Sequence, residues 1–357
     1  MPTTAADSRE FRELIRFTVS APYELLLSLG TVHWQPPRHA AWAAAARAAL
    51  GPDLLAEAAF FYGELWHPLV LMEFPVDYTG PADRVRPFLD YVAHMDPDTF
   101  LFYMWGRIIP REEVAVLRAD PDAVRARIHD FYESTWPGSG DTRTRGKGLT
   151  EAAVDPQGLQ RRLVALLRAY AARVFTPLLP ALRRAWAESL DEQARLVAAT
   201  DPRAYVERLL DGRALPPMFP EGTPMREIRV IPSRYTWRAN FEIWGYGTLI
   251  LIYDAGRTER QAQEREATAA RLTEVAAALA DPNRLKILAP IAQDPEAYGH
   301  KLAAACGISR PAVSRHMGIL KRAGLVEEAP SEGRVAYRLC RAALESFLPQ
   351  LFDYLEK

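Results

Sequence analysis

Three arginines, Arg310, Arg315 and Arg322, stand among small side chains between positions 309 and 326, and no acid occurs from 310 to 322. Wound as a helix at about 100° per residue, Val313, Met317 and Leu320 share one side. Pro311, Arg315, Gly318 and Arg322 take the other, flanked by Ala312 and Ser314. A guanidinium is a planar fork of donors that matches phosphate oxygens or a guanine edge, and small neighbours let a helix come close. The implied chemistry is therefore non-covalent recognition of duplex DNA. The candidate contacts are Ser309, Arg310, Pro311, Ala312, Ser314, Arg315, His316, Gly318 and Arg322, with Arg334 on a strand that follows. His316 borders the apolar stripe, so it reads equally as a phosphate contact or a packing residue.

Other chemistries find less support. Cys306 and Cys340 are the chain's two cysteines, and the closing stretch 342–355 has no histidine, so one subunit does not assemble a thiolate metal site. No metal and no cofactor is expected. No G-x-S-x-G elbow occurs, and no G-x-G-x-x-G opens a helix after a strand. Gly140 to Gly146-Lys147 has one residue too many for a phosphate loop, and Gly148 stands where Ser or Thr should hold magnesium; residues 137–149 read as a surface loop. Glu112-Glu113 and Asp120/Asp122 suit helix N-termini better than acid–base work. The N-terminal aromatics, among them Trp34, Trp42, Trp66, Phe100 and Trp136, read as core or as an apolar pocket. Phe102, Trp105 and Arg107 are the candidate contacts for a small organic molecule.

Local signals define the elements that must hold the arginines. Ser309 is a good N-cap, Pro311 fits a first turn, and Gly324 fits the residue after a helix. Residues 299–306 read as a preceding helix with Leu302, Ala303 and Cys306 on its packing side, and Gly307-Ile308 as the tight turn. After Gly324 the chain alternates, turns at Ser331-Glu332-Gly333 and returns through 334–339 as a wing. Upstream, residues 1–10 read as frayed and 14–20 as a strand. Helices follow over 22–29, 38–50 and 53–66, after Asp96-Pro97-Asp98 and Asp120-Pro121-Asp122, over 156–187 with breaks at Pro177 and Pro180, and over 191–210. Period-two runs at 227–231, 235–244 and 248–253 read as an antiparallel meander turning at Gly245-Tyr246-Gly247. The expected class is α+β and predominantly helical, with residues 1–255 as a helical domain carrying a small antiparallel sheet and 256–357 as a winged helix-turn-helix.

Leu279-Ala280-Asp281-Pro282-Asn283-Arg284-Leu285-Lys286-Ile287-Leu288 resembles the entry helices of ArsR-type winged helix-turn-helix regulators. Ser309 to Val326 and Gly333 to Leu339 resemble their recognition helix and wing. The resemblance covers about 264–357 and implies a homodimeric, cytoplasmic transcription factor, usually a repressor released from DNA by a signal. Two departures stand out. Pro290 falls where the family continues its second helix, so a kink or an end near Leu288 is expected. The family's cysteine-pair metal site is missing. The first 255 residues resemble an N-terminal extension found in a subset of such regulators, through Tyr23 to Leu29, Ile231-Pro232-Ser233 and the strand ending in Tyr253; that extension has no assigned chemistry.

Whole-chain properties fit this reading. A length of 357 residues suggests two domains, and 49% hydrophobic with 25% charged residues is ordinary for a globular chain. The net charge of −1 means that any DNA-facing charge is local. Two cysteines suit a reducing compartment; no apolar run long enough for a bilayer and no signal peptide is read, so a cytoplasmic site is expected. Leu272, Val275 and Leu279, with Leu344, Phe347, Leu348 and Leu351, form apolar stripes for pairing with a second copy. An enzyme tethered to a DNA reader and a partner-docking module are the rival readings of the first domain.

Overall fold

The computed structural model describes residues 5–65, 69–135, 147–215, 219, 222–237, 240–294, 297–331 and 334–356. The chain divides into two compact units, Met1–Arg257 and Thr258–Lys357. The first begins with α1 (Ala5–Leu14), β1 (Ile15–Phe17) and α2 (Ala21–Trp34). Shorter helices follow: α3 (Ala40–Leu50), α4 (Pro52–Ala59), α5 (Arg86–Ala93), α6 (Pro97–Met104), α7 (Arg111–Leu117), α8 (Pro121–Thr135) and α9 (Lys147–Val154). Then come α10 (Pro156–Tyr170), α11 (Thr176–Ala199), α12 (Pro202–Leu209) and the strands β2 (Glu227–Ser233), β3 (Asn240–Gly245) and β4 (Thr248–Asp254). Residues 5–10 are therefore helical rather than frayed, residues 1–4 lie outside the described residues, and the first strand has three residues. The loop expected over 137–149 lies outside the described residues up to 146, and α9 begins at Lys147.

The sheet has order β1-β2-β4-β3. The β3–β4 hairpin is antiparallel, as the turn residues predict, but β1 pairs parallel with β2 and β2 parallel with β4. The expected antiparallel meander is thus a mixed sheet. The residues between β2 and β3 carry the chain past β4, so β3 arrives on the far edge. Helices cover both faces of this sheet. Ile231, Phe241, Ile243, Ile250 and Ile252 join the large helical core, while Ile228, Val230, Leu249, Leu251 and Tyr253 join a second cluster with Phe11, Val197, Tyr205 and Val206. Burial on both faces explains why β4 reads Thr-Leu-Ile-Leu-Ile-Tyr-Asp, nearly continuous in apolar residues.

Pro156 to Ala199 runs as one helical stretch through both prolines, with a widened π-type turn at Ala171–Phe175 just before them. Such a turn is one way a helix absorbs lost N–H bonds. Contrary to the sequence expectation, this stretch is long and apolar enough to cross a membrane by length and composition alone. Its Leu163, Leu167, Tyr170, Phe175 and Trp186 pack inside the unit's own core.

A buried carboxylate ties α2 to the sheet. Glu24 is 0% exposed and accepts the backbone N–H of Arg234 and Tyr235 and the Trp186 indole N–H, at 2.9–3.1 Å. Desolvation pushes its carboxyl above the usual value, against the pull of these donors.

The second unit contains α13 (Arg257–Leu279), α14 (Pro282–Gln293), β5 (Ala297–Tyr298), α15 (Gly299–Cys306), α16 (Arg310–Arg322), β6 (Val326–Ser331), β7 (Arg334–Leu339), α17 (Arg341–Glu345) and α18 (Phe347–Glu356). Its sheet has order β5-β7-β6, antiparallel throughout. Val275, Ile287, Leu302, Val313, Met317, Leu320 and Leu325 form its core.

Helix α14 does not end near Leu288; it continues to Gln293 with Pro290 inside. A proline there cannot donate to the carbonyl four residues back, which is Lys286 O. The Cys306 thiol, reaching over from α15, donates to that same carbonyl at 3.3 Å. A neighbouring helix thus supplies the hydrogen bond that the proline removes.

Candidate nucleic-acid interface

Gly307 takes φ +68 at the end of α15, and the Ile308 N–H returns to Ala303 O at 3.2 Å. This tight reversal sets α15 against α16. Ser309, with φ −68 and ψ 151, accepts the Ala312 N–H at 3.3 Å and starts α16. Gly324, at φ +68, ends the turn after it. Each is a local conformational requirement that the residue type meets at low cost.

Val313, Met317 and Leu320 are 2%, 1% and 0% exposed, which fixes the rotation of α16 on its unit. The opposite face carries exposed Arg310, Pro311, Ser314, Arg315 and Arg322, with half-buried Ala312 and Gly318 between them. Lys321, at the flank, donates to Glu328 of β6 at 2.5 Å and so helps fasten helix to wing. In the wing, Val326 pairs with Leu339 and Ser331 with Arg334 across the β6–β7 ladder. Arg334 stands on β7; its side chain and the wing tip at 332–333 lie outside the described residues.

His316 differs from its neighbours on α16. Its side chain is 12% exposed, with Nδ1 4.0 Å from Asp281 Oδ2. It faces inward, so the phosphate-contact reading gives way to the packing one. Asp281 is the N-cap of α14, accepting from Asn283 N at 2.8 Å and Arg284 N at 3.3 Å, and Arg284 Nη2 donates to Ala277 O of α13 at 2.9 Å. The carboxylate thus lies between α14 and α16, and Arg284 beside it reaches α13. Sequence reading passed over Asp281 and Arg284 as site-positioning residues, although the Asp-Pro cap signal was present.

The stripes assigned to pairing divide differently from expectation. Leu272 and Val275 are 6% and 5% exposed within a single chain, and they line a cavity of about 370 Å³ with Ala323, Gly324, Ala343 and Phe347. Leu279, Leu344 and Phe347 pack on the same core, and Leu351 is half-buried. Leu348 remains exposed at 56%, joined on α18 by Phe352 at 59% and Leu355 at 68%. The α13 stripe is used inside the unit because α17 and α18 fold back onto it.

In the first unit Phe102, Trp105 and Arg107 are 3%, 0% and 5% exposed. Arg107 Nε donates to Glu73 at 2.7 Å and Nη2 to Trp244 O at 3.0 Å, and Tyr246 donates to Arg107 O at 3.2 Å. The three residues lie in the packed interior, and the anchor expected of Arg107 is committed to the protein itself. Trp66, Trp136 and His67 lie outside the described residues. Among the described residues no three His, Cys, Asp or Glu side chains gather as a metal site. Burial pushes the thiols of Cys306 and Cys340 up from their ordinary value.

A reversal, a capped helix with a bare basic face and a following two-stranded wing are the parts of a winged helix-turn-helix. Residues 279–329 match a family described as a helix-turn-helix domain. An HTH-type transcriptional regulator of Mycobacterium tuberculosis (strain ATCC 25618 / H37Rv), Rv2034, is 45% identical over 62 residues. That match takes in 17% of this chain and 57% of the relative, so the chain spans little more than half of the relative's length. No solved structure matches the chain. Residues 279–329 thus form a helix-turn-helix domain, similar over a 62-residue match to part of a transcriptional regulator.

Proposed function

We propose that the chain is an ArsR-type repressor that binds a near-palindromic operator as a homodimer. A small organic molecule acting on residues 1–257 relieves it. The observation that carries the DNA-reading part is the outer face of α16. Arg310, Arg315 and Arg322 project there with no acid on the helix, beside a wing whose strand carries Arg334. Arg315 sits centrally, suited to a base edge, and Arg334 is suited to phosphate. Pairing rests on Leu348, Phe352 and Leu355, an exposed apolar row on the last helix, rather than on Leu272 and Val275. Two copies related by a two-fold would set their recognition helices about 34 Å apart. Work on the chromosome places the protein in the cytoplasm.

The effector reading is supported by the thiols: Cys306 is engaged with Lys286 O and held protonated by burial, which is unlike a metal ligand. The 23-residue α13 begins at the unit boundary, so on this reading it is the first element of the second unit that a signal from residues 1–257 would reach along the chain. The test is binding to a duplex selected from a random pool. Arg315→Ala should cost about 1–3 kcal/mol and relax specificity. Arg334→Ala should weaken all sequences alike. Unchanged specific binding in the double variant would sink the assignment.

A further inference from the structure

Several glycines have a use visible inside the chain. Gly307 and Gly324 adopt positive φ, and a Cβ on Gly30 would stand 2.2 Å from the Trp237 ring. Gly318 has neither reason. It lies in the middle of α16 with no positive φ. A Cβ built on it would meet nothing nearer than Arg322 Nη1, at 4.0 Å, which is ordinary contact and leaves that guanidinium where it is. Glycine inside a helix is unfavourable relative to alanine, because it gives up more backbone freedom and shields nothing. The position therefore costs the fold stability without returning any.

Its place on the helix says where the return lies. Gly318 is on the outer face, three residues after Arg315 and four before Arg322, so both arginines are its neighbours one turn away. Resting on the DNA-binding reading above, we propose that Gly318 is a close-approach position. The missing side chain lets the sugar-phosphate wall of the groove meet the helix backbone between the two arginines. Any Cβ holds the duplex off and lengthens both arginine contacts together. Hydrogen bonds weaken steeply with such displacement, so a single methyl should reduce binding even though it leaves all the charge in place.

The experiment compares the full-length parent with Gly318→Ala and Gly318→Leu. Each is tested on the duplex that the parent selects from a random pool and on a scrambled duplex, with thermal unfolding of the same samples. The expected result is an alanine variant that melts no lower than the parent yet binds the selected duplex roughly tenfold more weakly, a difference of about 1.4 kcal/mol. The leucine variant should bind more weakly still. Parental affinity in Gly318→Ala, with the parent itself binding a selected sequence, overturns this inference and leaves the DNA reading standing. A parent that selects no sequence overturns both.

Discussion

Glu24 shows how one buried carboxylate can join a helix to a sheet. Both of its oxygens accept from N–H donors, Oε1 from Arg234 and Tyr235 and Oε2 from Trp186 and Arg234. Glutamine keeps the shape but replaces one acceptor with a donor. Glu24→Gln should therefore leave a buried N–H without a partner and cost about 1–3 kcal/mol in urea unfolding of the first unit. Pro290 and Cys306 offer a second residue-level test. Pro290→Ala restores the helix's own donor to Lys286 O, so the thiol should matter less in that background. A double-mutant cycle with Cys306→Ala should show coupling of about 0.5–1 kcal/mol, and strict additivity would mean that the thiol does not stand in for the donor that the proline lacks. The local requirements were legible in the sequence: Ser309, Gly307 and Gly324 announce cap and turn because neighbours along the chain impose them. The direction of His316 and the engagement of Arg107 were not legible, since Asp281, Glu73 and Trp244 O decide them from distant positions.

Between elements, Asp281 caps α14 and lies 4.0 Å from His316 of α16, a joint that is a candidate for setting how α16 is presented. Desolvation works against its charge, but the N–H groups of Asn283 and Arg284 and the Arg284 cation outweigh it, holding the carboxyl below its ordinary value. The unfolded chain then binds the proton more tightly than the folded one. The contribution is complete above the unfolded value and is lost as pH falls through the folded one. Asp281→Ala should lower the melting temperature near neutral pH, with the gap to the parent closing in acid. It should also weaken operator binding with every α16 arginine intact; unchanged binding would show that the joint does not set the helix's pose. The β3–β4 hairpin and the wing were legible because tight turns declare themselves. The parallel pairing of β1, β2 and β4 was not, because no local pattern records which strand lies beside which.

For the molecule as a whole, assembly and signalling give separable expectations. Sedimentation of the full chain at micromolar concentration should show a dimer, and Leu348→Asp with Phe352→Asp should yield monomers, since charge on that row opposes its burial. Operator binding by the 258–357 unit should be insensitive to zinc, cadmium and arsenite; metal-driven release from that unit would overturn the non-metal reading of the effector.

The pairing of Ile15 with Ile228, from opposite ends of the first unit, also sets an order of events in time. Contacts so far apart in the chain are slow to form because a long loop must close first. In the second unit the farthest strand pairing, Ala297 with Tyr337, closes a much shorter loop. All eight tryptophans precede residue 258, so their emission follows the first unit alone. On dilution from urea, part of the far-ultraviolet helical signal should return before tryptophan emission does. On the ribosome, the nascent first unit waits with β1 unpaired until β2 has been made and has emerged, and an open strand edge is a template for misassociation during that interval.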